Sequence, residues 1–152
     1  MFSRTAEYAL LAVVYLATNR EGLRGSEEIA GATRVPAAYM SKVLKDLVAG
    51  GVVLSQRGPS GGFRLARDPG EITVLDVVNA ADPIQRIHTC PLGIPTHGTN
   101  LCPLHRKLDN AIAMVEKTLG ESTIAEMIEP PRGESRCTFP TVSARSGRSS
   151  RR

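Results

Sequence analysis

Between residues 90 and 105 the chain reads CPLGIPTHGTNLCPLH, which puts Cys90, His97, Cys102 and His105 within sixteen residues. All four are metal-ligating types. Two thiolates and two imidazoles are the donors of a tetrahedral zinc site, although their spacing here is irregular for one. The same two thiols can join under oxidation, because eleven intervening residues close into a loop at little entropic cost. Cys102 and His105 also have the types of a nucleophile and its base, but no third orienting group or oxyanion hole is evident, so catalysis is set aside. Each loop cysteine precedes a proline, which holds it extended. Cys102 is expected at the N-terminus of a long helix opening at Pro103, where the helix dipole favours the thiolate that binds metal or reacts. His105 lies one turn in and reaches the same ion. For His88 a surface position is the simpler reading, and for Cys137 an incidental exposed thiol.

The elements that must position this loop are mostly helical. Ser3 to about Thr18 is apolar nearly all round and predicts a buried first helix. Ser26 is expected to cap a short second helix, with Glu27 and Glu28 in its first turn. Pro36 is placed to start a third, ended at Gly50-Gly51. In that third helix Met40, Val43, Leu44 and Leu47 repeat at helical spacing, and Ala38, Ser41, Lys42 and Lys45 lie on the other face. Small and basic residues on an outer face suit entry into a DNA major groove. Val52–Ser55 and Phe63–Leu65 then read as two strands around the Gly-rich turn Arg57–Gly62, a hairpin wing. Arg57 at its tip suits a narrow, A·T-rich minor groove. Ile72 is expected to open a further helix, with Thr73 and Asp76 as a cap pair. In the long helix from Pro103 to about Gly120, the residues Leu104, Leu108, Ala111, Ile112, Val115 and Leu119 form one apolar stripe. Such a stripe, standing beyond a small domain, is most simply buried against a second copy, giving a two-fold homodimer.

Charge supports the nucleic-acid reading. The net +4 of the 152 residues comes from the end of the chain: residues 130–152 carry six arginines and one acid, while residues 1–129 carry 13 basic and 14 acidic groups. Within the body, residues 34–67 hold six basic side chains against Asp46 alone. A local positive field of that kind fits a polyanion and is not needed by a winged domain used only for protein assembly. The apolar run from Ala6 to Ala17 is too short to span a bilayer and lacks a signal-cleavage pattern, so a cytoplasmic protein without membrane association is expected. Three cysteines, an odd number, argue against a disulfide framework.

EYAL at 7–10, the helix pair running to Gly51, RGPSGGFRLAR at 57–67, ITVLDVV at 72–78 and a cysteine loop leading into a long helix resemble the Rrf-type winged-helix regulators. This is the family of the iron–sulfur regulator IscR and the nitric-oxide sensor NsrR. The resemblance covers about residues 1–128. It implies a mainly α fold with a small β-hairpin wing: a winged helix-turn-helix over 1–82, a sensor loop over 83–102, and a dimerisation helix and short terminal turn over 103–128; the remaining residues, 129 to 152, are rich in Pro, Ser and Arg and read by composition as a disordered basic tail. It also implies a dimeric bacterial transcription factor on a roughly palindromic double-stranded DNA operator. Tyr39, Ser41 and Lys42 fall on its recognition helix, and Arg57 and Ser60 match DNA-contacting positions of its wing. Relatives like IscR carry Glu-Gln where this chain has Ser41-Lys42, so the resemblance does not give the operator sequence. Cluster-binding members space three cysteines with five residues between neighbours; here Cys90 and Cys102 take the outer positions and Thr96 the middle one. A 2Fe–2S cluster would then rest on Cys90, Cys102 and His105, with a fourth ligand from His97 or from Glu7 of the partner subunit. A cluster-free thiol switch and a zinc site stay open beside it.

Overall fold

The computed structural model describes residues 2–97, 100–129, 132, 133, 135–137 and 139. Helix α1 (Arg4–Thr18) opens on Ser3, whose hydroxyl accepts the Ala6 N–H at 3.2 Å. Its alanines at 6, 9 and 12 are buried, which lets the other helices of the body approach it closely. Helix α2 (Ser26–Thr33) departs from the expected cap: Gly25 is the capping residue, and the Ser26 hydroxyl lies 3.3 Å from that of Ser41 instead. Arg34 closes α2 in the left-handed region at φ 57°. Pro36 in turn caps helix α3 (Ala37–Ala49) rather than entering it. Met40, Val43, Leu44 and Leu47 are the buried face of α3, as their spacing requires.

Strands β1 (Val53–Gln56) and β2 (Gly62–Leu65) pair antiparallel, Val53 opposite Leu65 and Gln56 opposite Gly62. The first strand thus starts one residue later than the apolar run indicates, because Val52 is spent closing α3: its N–H donates to the Leu47 carbonyl at 3.0 Å. Arg24 adds a third extended segment, exchanging two backbone hydrogen bonds with Phe63 at 2.9 and 2.8 Å. That approach is why residue 62 is glycine. Its φ is 157°, and a Cβ there would sit 2.6 Å from the Arg24 carbonyl oxygen.

Helix α4 (Val74–Ala81) carries the expected reciprocal cap: the Asp76 N–H donates to the Thr73 hydroxyl, and the Thr73 N–H to the Asp76 carboxylate, both at 3.0 Å. After α4 the chain is irregular over residues 82–94, and farther along come helix α5 (Pro103–Glu121) and the short α6 (Ile124–Ile128). Backbone bonds from Val74 to Ser122 and from Ile124 to Ile72, both 2.9 Å, stitch the end of α5 to the start of α4. Around them one core forms from α1 to α4 and α6, with Leu16, Ile29, Ile72 and Ile124 almost fully enclosed.

Helix α5 stands largely outside that core. His105 is its one buried residue, while Leu104 and Leu108 of the apolar stripe are 58% and 46% exposed. Between α5 and the body runs an apolar groove of about 460 Å³, lined by Phe2, Val78, Ile84, Leu108, Ile112 and Val115 among others. Among the described residues no helix is long and apolar enough to cross a membrane. Of the tail expected to be disordered, residues 140–152 lie outside the described residues. Nearer the body, the Cys137 N–H donates to the Met127 carbonyl at 3.1 Å, and Phe139 meets Tyr15 edge-on at 5.7 Å.

Candidate functional site: a DNA-reading face and a cysteine–histidine loop

The side chains singled out for DNA all reach solvent. On α3, Tyr39 is 60% exposed and its ring stands edge-on to Tyr8, centroids 6.2 Å apart. Ser41 and Lys42 share that open face. The Lys42 ammonium donates to Asp46 one turn on, at 2.9 Å, so its charge is partly committed to its own helix. Arg67 is likewise engaged, by Asp76 at 3.4 Å. Among the described residues Lys45, Arg57 and Arg64 have no acidic partner. Arg57 and Ser60 are exposed at the tip between β1 and β2. The positive field is thus weaker along the helix than the residue count suggests and is least compensated at the wing.

The cysteine loop converges on one point. The Cys102 sulfur lies 3.1 Å from His105 Nδ1, and the Cys90 sulfur 3.6 Å from the same nitrogen. These three donor atoms lie within 4.8 Å of one another. His97 Nδ1 adds a contact to the Cys90 sulfur at 3.4 Å from a single turn of 3₁₀ helix at Pro95–His97. Thr96, in the same turn, is exposed, as is His88. Glu7 is exposed on α1 and, among the described residues of its own chain, joins no such group.

Cys102 is the N-cap of α5, as its sequence position indicates, although its sulfur closes no full capping hydrogen bond. The His105 amide, then the His105 ring and the Cys90 thiol, still pull the Cys102 thiol down to about 7, against burial that pushes it up. A thiol so placed is substantially thiolate at neutral pH, the form that ligates soft metals.

One feature beside the loop escaped the sequence reading. Arg86, four residues before Cys90, grips Asp109 of α5 with two hydrogen bonds, Nε to Oδ1 at 2.7 Å and Nη2 to Oδ2 at 2.6 Å. It also donates to Glu116 at 3.2 Å, and the Ile87 N–H donates to Asp109 at 2.9 Å. The Arg86 guanidinium and that amide hold the Asp109 carboxyl at about 2. An ion pair spanning 23 residues leaves no periodic trace in a sequence.

The helix pair, the hairpin and the long outer helix have counterparts among known proteins. The family model for Rrf2, an iron-dependent transcriptional regulator, matches residues 2–130. The chain belongs to the Rrf2 family. A protein of Aquifex aeolicus named as an HTH-type transcriptional regulator is 34% identical over 131 residues, 84% of this chain and 91% of that one. Another of that description from Mycobacterium tuberculosis is 34% identical over 130 residues, 82% of this chain and 79% of its own. Among solved structures, IscR of T. potens superposes with a TM-score of 0.69 at 23% identity, over 85% of this chain and 86% of that one. CymR of B. subtilis, titled the global cysteine regulator, gives 0.67 at 23% identity, over 83% and 94%. These two likenesses establish the Rrf2 winged-helix fold. The family's role is transcriptional regulation, not catalysis.

Proposed function

We propose that this Rrf2-family regulator acts as a homodimer paired through α5, binds a roughly palindromic double-stranded DNA operator in the cytoplasm, and has its affinity set by a 2Fe–2S cluster on the Cys90–His105 loop. The observation that carries the cluster reading is the convergence of the Cys90, Cys102 and His105 donor atoms within 4.8 Å. Two thiolates and an imidazole are three of the four protein ligands a two-iron cluster needs, and cysteine and histidine share that work in known centres. His97, already 3.4 Å from Cys90, or Glu7 of the partner subunit supplies the fourth. When bound, such a cluster supplies an iron centre sensitive to redox state and to iron supply.

The protein's own part is mechanical. Cys90 belongs to the irregular segment and Cys102 to the head of α5, so any group held by both ties the loop to the outer helix. In a two-fold dimer the angle of α5 sets the separation of the two α3 helices, and DNA half-sites accept about 34 Å, one helical turn. Tyr39, Ser41 and Lys42 read the major groove, while Arg57 and Ser60 meet the neighbouring minor groove and backbone. The domain division follows: residues 1–82 read DNA, 83–102 sense, 103–128 pair, and the basic tail from 129 adds sequence-independent affinity.

Purification without oxygen, with visible absorption, iron and acid-labile sulfide measured together, tests the reading. A coloured protein containing both iron and sulfide is expected, and DNA affinity that differs between wild type and Cys102→Ala. A second reading, a thiol switch without a cluster, is favoured by the proximity of the two sulfurs and the lowered Cys102 thiol. A colourless protein that also resists reconstitution replaces the cluster by that switch, or by zinc on Cys90, His97, Cys102 and His105 if zinc copurifies.

A further inference from the structure

The Cys–His site is assembled from two segments on either side of the loop 91–101. Cys90 comes from the irregular segment after α4, and Cys102 and His105 from the head of α5. Leu92 and Ile94 in the intervening loop are 61% and 41% exposed, so apolar packing does not fix it. Outside the site itself, and among the described residues, the polar contacts joining the segment before Cys90 to α5 are those of Arg86 and Ile87 with Asp109 and Glu116. Asp109 is one helical turn beyond His105 and therefore on its face of α5. Arg86 is four residues before Cys90, too few for the chain between them to wander far. The forked guanidinium–carboxylate geometry fixes direction as well as distance. Its members are half-buried or better, with side-chain exposures of 34% for Arg86, 16% for Asp109 and 26% for Glu116.

We infer that Arg86 and Asp109 are the positioning pair of the Cys–His site: they hold the Cys90 segment against the first two turns of α5, so that the two sulfurs and the His105 ring face one another before any metal arrives. This deepens the metal-site reading proposed above and rests on it. Groups that orient metal ligands without touching the metal typically contribute about 10–100-fold to affinity.

The test uses the full-length, reduced, metal-free protein titrated with Co²⁺, followed by thiolate-to-cobalt absorption. Wild type is expected to develop the band, Asp109→Asn and Arg86→Ala to bind at least about tenfold more weakly, and Glu116→Gln to lie between. Lys117→Ala, which removes an exposed pair on the same helix, is expected to match wild type. Thermal unfolding of each metal-free variant separates a displaced loop from a lost fold, and Glu116→Gln keeps the series readable if the stronger variants unfold. A second readout needs no metal: the equilibrium for closing Cys90 to Cys102 against oxidised glutathione, which passes two electrons from the thiols to the glutathione disulfide. Asp109→Asn is expected to lower that constant by a similar factor. Wild-type protein giving no cobalt–thiolate band defeats the metal reading while leaving the pair to be judged by the glutathione equilibrium. Folded Asp109→Asn and Arg86→Ala proteins that bind Co²⁺ and close the disulfide as wild type does overturn the inference.

Discussion

Cys102 owes its acidity first to the His105 amide and then to the His105 ring and the Cys90 thiol, and the last two can be removed by single substitutions. With its thiol held at about 7 rather than at its ordinary 9.0, the metal-free protein is expected to alkylate at Cys102 with a midpoint near pH 7. His105→Ala is expected to move that midpoint upward, and the ultraviolet absorbance of the thiolate would report it. The sign for stability follows: a thiol depressed in the folded state stabilises the fold above its unfolded value, and that contribution is lost as pH falls through 7. Asp109, held at about 2, behaves likewise on the acid side, so its ion pair with Arg86 is expected to outlast the titration of ordinary carboxylates. Cys90, Cys102 and His105 were legible in the sequence because ligand types crowded together are conspicuous, and Cys-Pro at a helix start has one sensible geometry. Arg86 and Asp109 were not, since nothing local marks an arginine as the partner of a carboxylate 23 residues away.

At the scale of elements, the wing offers the sharpest test. Gly62→Ala puts a Cβ into the Arg24 carbonyl at a positive φ, so it is expected to cost about 1–3 kcal/mol in chemical denaturation and to weaken DNA binding by displacing the tip. Arg57→Ala leaves the fold alone. Its expected signature is weaker DNA binding with a salt slope smaller by about one, read from mobility shifts at several salt concentrations. An unchanged slope would show that Arg57 touches no phosphate. The caps at Thr73 and the buried face of α3 were readable from spacing, as both are repeating local patterns. Ser26 is not the cap that its residue type suggests, because Gly25, with no side chain to offer, takes the cap position and frees the Ser26 hydroxyl to meet that of Ser41. The third strand of the wing was invisible for a related reason: Arg24 pairs through its backbone alone, which any residue type can do.

For the whole molecule, the groove between α5 and the body is where pairing is to be tested. Leu108→Glu introduces a charge into its apolar lining and is expected to shift the protein from dimer to monomer in sedimentation, with DNA affinity falling accordingly. The same variant distinguishes the two candidates for the fourth ligand. A monomer that still binds metal fully favours His97, and one that binds poorly favours Glu7 of the partner subunit. The Thr73–Thr123 stitching gives this arrangement a further property. Nineteen residues make α5 about 28 Å long, and its far end is pinned to the body by two backbone bonds while its near end carries Cys102. It is a lever with its fulcrum at Ser122. A shift of ~1 Å at the cysteine end turns such an arm by about 2°, and in the dimer proposed above the partner's arm would turn with it, doubling the change in angle between the two reading heads.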